Sequence, residues 1–235
     1  MFDPLPRQSL PIAGTDARFP VRRIFCAGRN YADHVREMGN DPKVERPVFF
    51  SKPTDAIVES GAAIAYPLDT ADLHHEVELV LALSSGGVDI PQQAALGCIW
   101  GYAVGVDLTR RDRQAEAKKA GAPWDAAKGF DHSAPIGALT PADICGHKNA
   151  GRIYLSVNGA VKQDDNLSSM IWNAAEIVAF LSRSWELKRG DLIFTGTPAG
   201  VGPLQIGDAV ECGVDGLAPL RFSIAARSCF ARDAS

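Results

Sequence analysis

The sequence predicts a single domain that is mainly β with some α, an α+β fold built on a mixed, mostly antiparallel sheet. Three observations carry that expectation. Seven apolar runs rich in β-formers are too short for helices, and helical periodicity is confined to three stretches. The 22 glycines and 15 prolines are spread along all 235 residues, as many short strands joined by turns require. Strands outnumber helices and do not alternate with them, which argues against a doubly wound parallel sheet.

Residues 1–20 hold Pro4, Pro6, Pro11 and Pro20 and read as an extended arm. Residues 21–226 carry the domain, and 227–235 form a weakly patterned tail. Asn30 stands as an N-cap for two helical turns from Tyr31 to Met38, with Gly39 as their stop. The strand runs are VFF at 48–50, EVELVLAL at 76–83, WGYAVGVDL at 100–108, RIYLSVNG at 152–159, DLIFTG at 191–196, DAVECGV at 208–214 and LRFSI at 220–224. Arg110 to Ala120 is polar and helix-prone. Ser169 to Trp185 has the clearest 3.6-residue period, with Ile171, Ala174, Val178 and Leu181 on one stripe.

Composition narrows the class of function. There are 24 Lys+Arg against 28 Asp+Glu, a net charge of −4 with no basic block, which argues against nucleic acid or an anionic membrane as partner. No apolar run reaches the roughly 18–20 residues of a membrane span, and the N-terminal residues lack a signal-peptide pattern. Five scattered cysteines without a C-x-x-C pair suit reduced thiols, so a cytoplasmic location is expected.

The chemistry concentrates in four stretches. Within His74-His75-Glu76-Val77-Glu78-Leu79, strand alternation puts Glu76 and Glu78 on one face and Val77 and Leu79 on the other. Taken alone, that pair fits a solvated edge as well as a cation site. Asp107, at the end of the apolar run from Gly101, adds a third carboxylate and favours a hard cation, Mg²⁺ or Mn²⁺, over zinc. His34 and Glu37, three apart on the short helix, can form a general-base pair or a plain surface ion pair. The polar segment after Asp107 can bring Arg111, Gln114 and Lys128 to the same place. The loop Thr195-Gly196-Thr197-Pro198-Ala199-Gly200 offers N–H and hydroxyl donors to a carboxylate.

Six motifs in order resemble the fumarylacetoacetate hydrolase family. They are Gly28-Arg29-Asn30-Tyr31…His34…Glu37, Phe50-Ser51-Lys52-Pro53, Glu76-Val77-Glu78-Leu79 and Asp107-x-Thr109-x-Arg111-Asp112-x-Gln114, followed by Ala127-Lys128-Gly129-Phe130-Asp131 and Phe194-Thr195-Gly196-Thr197-Pro198-x-Gly200-Val201-Gly202. The resemblance spans about Val21 to Ile224, and the stretch from Leu10 to Arg23 looks like the small bacterial fumarylpyruvate hydrolases. It implies a mixed β-sandwich roll, a homodimer, and no further N-terminal domain. It also implies one Mg²⁺ or Mn²⁺ on Glu76, Glu78 and Asp107, and a water-activating dyad of His34 and Glu37. Gln114 and Lys128 would stand near the scissile carbonyl, and Arg111 and Thr197 would contact substrate.

The implied reaction is hydrolysis of the C–C bond of a 2,4-diketo acid, 3-fumarylpyruvate foremost, in gentisate-type aromatic breakdown. Oxaloacetate decarboxylation, or isomerisation and decarboxylation of a homoprotocatechuate-derived acid, are the rivals on the same site. A non-catalytic metal- or carboxylate-binding module is the reading outside enzymes. A fumaryl tail needs a cation for its distal carboxylate, for which Arg29, Arg36 and Lys52 are the candidates.

Overall fold

Every side chain of the strand Val77–Leu83 is buried, so both faces of its sheet must be covered. A computed structural model, describing residues 6–37 and 47–227, shows how. The first half of the chain runs β1 (Ser9–Pro11), β2 (Arg18–Pro20), β3 (Arg23–Gly28), α1 (Ala32–Glu37), β4 (Val48–Lys52), β5 (Ile57–Glu59), β6 (Ala63–Ala65), β7 (Leu73–His75), β8 (Val77–Leu83), α2 (Gln92–Ala95) and β9 (Ile99–Val106). There follow β10 (Thr109–Arg110), α3 (Arg111–Ala120), α4 (Asp125–Lys128), β11 (Ala134–Ile136), β12 (Thr140–Pro141), α5 (Ala142–Cys145), β13 (Arg152–Val157), β14 (Ala160–Asn166), α6 (Ala174–Ser182), β15 (Asp191–Phe194), β16 (Gly202–Pro203), β17 (Ala209–Val214) and β18 (Leu220–Ala225).

The main sheet has the order β4-β3-β15-β8-β9-β11-β5, with β12 joined to β9. Its pairs are antiparallel except β3 with β15 and β5 with β11. A five-stranded sheet, β14-β13-β17-β18-β6, packs on one face. There Leu79, Leu81 and Leu83 meet Ile153, Leu155, Cys212 and Phe222, and Ile177, Val178 and Leu181 of α6 join the same core. On the other face Val80 and Ala82 pack with Ile24, Cys26, Leu192 and Phe194. The antiparallel hairpin β1–β2 closes that second core with Leu10 and Phe19. The described part of the expected N-terminal arm is therefore a hairpin with buried side chains. Arg227 apart, the expected tail lies outside the described residues, as does Gly39. Among the described residues no helix is long and apolar enough to cross a membrane.

All seven strand runs form strands, and the fold is the mainly β arrangement expected. Helix boundaries differ in detail: α3 starts at Arg111 rather than Arg110, and α6 ends at Ser182 rather than Trp185. α6 starts at Ala174 rather than Ser169, because Asn173 accepts from the N–H groups of Ala175 and Glu176 while the Glu176 carboxylate accepts from Asn173 N–H. Asn30 does not cap α1. Its amide instead donates to the carbonyls of Trp172 (2.9 Å) and Thr195 (2.7 Å), and its oxygen accepts from Trp172 N–H (2.7 Å).

Parity along the strands decides where charge can appear. Glu78 lies on the Val80/Ala82 face, and Asp107 continues the Ala103/Gly105 parity of β9 beyond its end. Gly105 is the register partner of Glu78, and a Cβ there would lie 2.6 Å from both Val80 Cγ2 and Phe194 Cε1. Gly105→Ala should therefore lower unfolding free energy by about 1–3 kcal/mol through overpacking. Denaturant titration measures this, and a loss near zero would show that Phe194 repacks freely.

Candidate metal centre and catalytic cleft

The end of the central sheet puts three carboxylates in one place. Asp107 N–H donates to Glu76 O at 2.8 Å, extending the β8/β9 pairing one step past Val77 and Val106. Glu76, Glu78 and Asp107 are 5%, 2% and 0% exposed, and one carboxylate oxygen from each lies within 4.8 Å of those of the other two. Charges so buried must be compensated. Lys128 Nζ donates to Glu76 Oε2 (2.7 Å), Asp107 Oδ2 (2.6 Å) and Thr109 Oγ1 (2.7 Å). Lys52 Nζ lies 2.8 Å from Asp107 Oδ1 and donates to the carbonyls of Leu108 and Lys128. Arg111 reaches Glu76 Oε1.

The compensation is uneven. Burial works against the Glu76 carboxylate, yet the charges of Lys128 and Arg111 hold its pKa well below the usual range. Burial, then the charges of Asp107 and Glu76, push Glu78 well above it, although Gly196 N–H donates to Glu78 Oε2 at 2.6 Å. Among the described residues Asp107 Oδ1 accepts no hydrogen bond of good geometry, and Lys52 meets it as an ion pair. A divalent cation would satisfy that oxygen and favour the charged form of Glu78. A donor set of carboxylate oxygens, without sulfur or imidazole, fits Mg²⁺ or Mn²⁺.

His34 lies beside this floor, 8% exposed, and its Nδ1 is 3.1 Å from Glu37 Oε2. Glu37 is itself held, since Gly200 N–H points at both of its oxygens at 3.1 and 3.2 Å. The loop can pack on β14 at this point because Gly200 has no side chain. Its φ is +93°, and a Cβ would lie 2.2 Å from Lys162 O. An i,i+3 pair anchored from a second loop is more than a surface ion pair. With Nδ1–H donating to the carboxylate, Nε2 remains as the basic nitrogen.

The cleft is lined by eight of the nine expected site residues: His34, Glu76, Glu78, Asp107, Arg111, Gln114, Lys128 and Thr197. Glu37, the ninth, stands behind His34. Two expected roles change. All three N–H bonds of Lys128 are taken by Glu76, Asp107 and Thr109, so it neutralises the floor rather than pointing at a carbonyl. Arg111 is spread over Glu76, Gln114 Oε1 (2.7 Å) and His74 Nδ1 (3.3 Å), which makes it a brace. That brace fixes the Gln114 amide with its NH₂ free to donate. Lys52 is buried against Asp107 and so belongs to the floor rather than to a distal carboxylate, while Arg36 pairs with Asp33 on the surface and does not line the cleft.

Gln163 escaped sequence reasoning. It is fully buried, its oxygen accepting from His75 Nδ1 (3.0 Å) and Val77 N–H (3.1 Å). Its amide donates to Thr197 Oγ1 (2.8 Å) and Pro198 O (2.9 Å). Thr197 thus accepts from Gln163 and keeps its own O–H for a ligand. Burial lowers the pKa of His75, consistent with a neutral ring in this network. In the polar run Lys162-Gln163-Asp164-Asp165 no periodicity marks which residue turns inward.

Residues 23–225 match the family model described as fumarylacetoacetate (FAA) hydrolase C-terminal. The solved structure of fumarylpyruvate hydrolase from Pseudomonas aeruginosa, in complex with Mn²⁺ and pyruvate, superposes with a TM-score of 0.94 at 48% identity, covering 97% of this chain and 99% of that one. The mitochondrial oxaloacetate tautomerase of Mus musculus is 43% identical over 203 residues, 86% of this chain and 91% of the mouse protein. The mitochondrial oxaloacetate decarboxylase of Dictyostelium discoideum is 40% identical over 197 residues, 83% of this chain and 90% of its own length.

Loading the three carboxylates should stabilise the fold by mass action. At one hundred times its dissociation constant, Mn²⁺ should add about 2.7 kcal/mol, or roughly 5–10 °C in melting temperature. Asp107→Asn should remove that increment. Thermal melts with Mn²⁺ and with EDTA measure both, and equal melting temperatures for the wild-type protein would argue against a metal at this floor.

Proposed function

We propose that this chain, which belongs to the fumarylacetoacetate hydrolase family, hydrolyses the C–C bond of a 2,4-diketo acid, 3-fumarylpyruvate foremost, to fumarate and pyruvate. One observation carries the reading: a buried histidine, paired to a carboxylate that a second loop holds in place, lies beside a floor of three carboxylates. The 48% identity to a fumarylpyruvate hydrolase across 97% of the chain supports the same substrate class.

Glu76, Glu78 and Asp107 would hold one Mg²⁺ or Mn²⁺. When bound, that ion supplies Lewis acidity toward the 2-oxo acid end of the substrate. The protein groups do the rest. Glu37 keeps Nδ1 of His34 protonated and the ring oriented, so that Nε2 takes a proton from water. The water oxygen adds to the C4 carbonyl, and the NH₂ of Gln114, fixed by Arg111, donates to the oxyanion that forms. Collapse breaks the C3–C4 bond, the acyl half leaves as a carboxylate, and the pyruvate half takes a proton at C3. Thr197 O–H donates to the substrate carboxylate, and Lys128 and Lys52 stay paired to the floor carboxylates.

A second reading rests on the identity to oxaloacetate tautomerase and decarboxylase. There the same floor would serve oxaloacetate, and no water would be activated. The dyad beside the cleft favours hydrolysis over decarboxylation, because proton abstraction from water needs an oriented base, whereas tautomerisation would use such a base at C3.

With Mn²⁺ present, 3-fumarylpyruvate should lose its enol absorbance and yield fumarate and pyruvate in equal amounts. His34→Ala should cut kcat by about 10²–10⁴-fold while Mn²⁺ still raises its melting temperature. Turnover of oxaloacetate with no cleavage of any acylpyruvate would replace the first reading by the second.

A further inference from the structure

The cleft contains more positive charge than its floor requires. Three carboxylates at the floor face three cations, Lys52, Lys128 and Arg111. Two further cations, Arg29 and Lys118, line the same cleft, and among the described residues neither has a carboxylate within 4.0 Å. The acidic residues lining the cleft are Glu76, Glu78 and Asp107, all at the floor.

The helix α3 sets the spacing. Arg111, Gln114 and Lys118 stand at i, i+3 and i+7, on one stripe, so α3 runs from the brace on Glu76 outward to Lys118. Seven residues at 1.5 Å each put Lys118 about 10 Å along the helix from Arg111. Lys118 Nζ sits 5.5 Å from the Trp124 ring centroid, which gives its stem a wall to lie on. Arg29 follows β3 in the left-handed region, at φ 61°, an unusual place for a residue other than glycine. Partial desolvation and the charges of Arg111 and Arg29 lower the Lys118 pKa, so the two cations are close enough to repel. Like charges gathered in a cleft without an acid between them focus a field that draws an anion.

We propose that Arg29 and Lys118 form a carboxylate subsite at the mouth of the cleft, which takes the distal carboxylate of a dicarboxylic 2-oxo acid. The assignment rests on the reading of the floor as a 2-oxo acid site, and it selects within that class. A diacid long enough to reach from floor to mouth gains a charge-assisted contact that a neutral acyl tail cannot make.

Calorimetric binding to the Mn²⁺-loaded protein tests this without turnover, using 2-oxoheptanedioate and its monoacid counterpart 2-oxohexanoate. Neither has a 4-oxo group to hydrolyse. The wild-type protein should prefer the diacid at least tenfold, and Lys118→Met and Arg29→Gln should each bring that ratio to within about threefold. Lys118→Arg should restore most of it. A wild-type ratio near one, or a ratio that survives in both variants, overturns the subsite while leaving the floor intact. Binding of neither acid would instead refute the 2-oxo acid reading of the floor, and the subsite with it.

Discussion

Three buried carboxylates that must be neutralised are the constraint on which the rest of the structure depends. Each counter-charge comes from a different element: Lys52 from β4, Arg111 from α3 and Lys128 from α4. Glu76 is shared by Lys128 and Arg111 and Asp107 by Lys52 and Lys128, so removing any one cation halves the compensation of a carboxylate in a site almost without solvent. The floor thereby ties β4, α3 and α4 to the end of the central sheet. The apolar parity of β8 and β9 does the opposite work, sealing both sheet faces up to Val80 and Gly105 and confining charge to one end.

A second layer of polar contacts holds the loops around that end. Asn30 joins the chain before α1 to the carbonyls of Trp172 and Thr195, and Gln163 joins β14 to His75 and the Thr197 loop. Gly200 couples this loop to Glu37. These bonds replace water around backbone groups that no strand pairs, so each is needed to avoid an orphaned donor or acceptor. They also transmit position. The His34–Glu37 pair is held by the same loop that carries Thr197, so the proposed base and the proposed carboxylate contact are set together.

The strands and the carboxylate triad were legible because alternation and charge within an apolar run have a short-range signature. Glu76 and Glu78 in a strand, and Asp107 at the end of another, need only period two to be placed on one face. The roles of Lys128, Arg111 and Lys52 were not legible, since which carboxylate a long side chain meets depends on tertiary packing. Lys128 was expected at a carbonyl and stands instead on Glu76, Asp107 and Thr109. Asn30 carries the residue type of a helix cap, but its amide found buried carbonyl partners that outweigh one exposed helix N–H. Gln163 is invisible to pattern, because one inward residue in a polar edge strand breaks no periodicity.

The floor and the mouth of the cleft divide the chemistry between them. In the proposed reading a divalent cation on the buried carboxylates would take the 2-oxo acid end that every member of the substrate class presents, which leaves the choice of acyl group and of reaction to other groups. That choice falls to groups farther out. In the proposed hydrolysis His34 acts on water while oriented by Glu37, and Glu37 is held by the N–H of Gly200. Arg29 and Lys118 have no carboxylate within 4.0 Å among the described residues, so the proposed subsite does not draw on the floor's ion pairs. Under these proposals hydrolysis and chain-end selectivity are separable: changing the mouth would alter which acid is held, and changing the dyad would alter what happens to it.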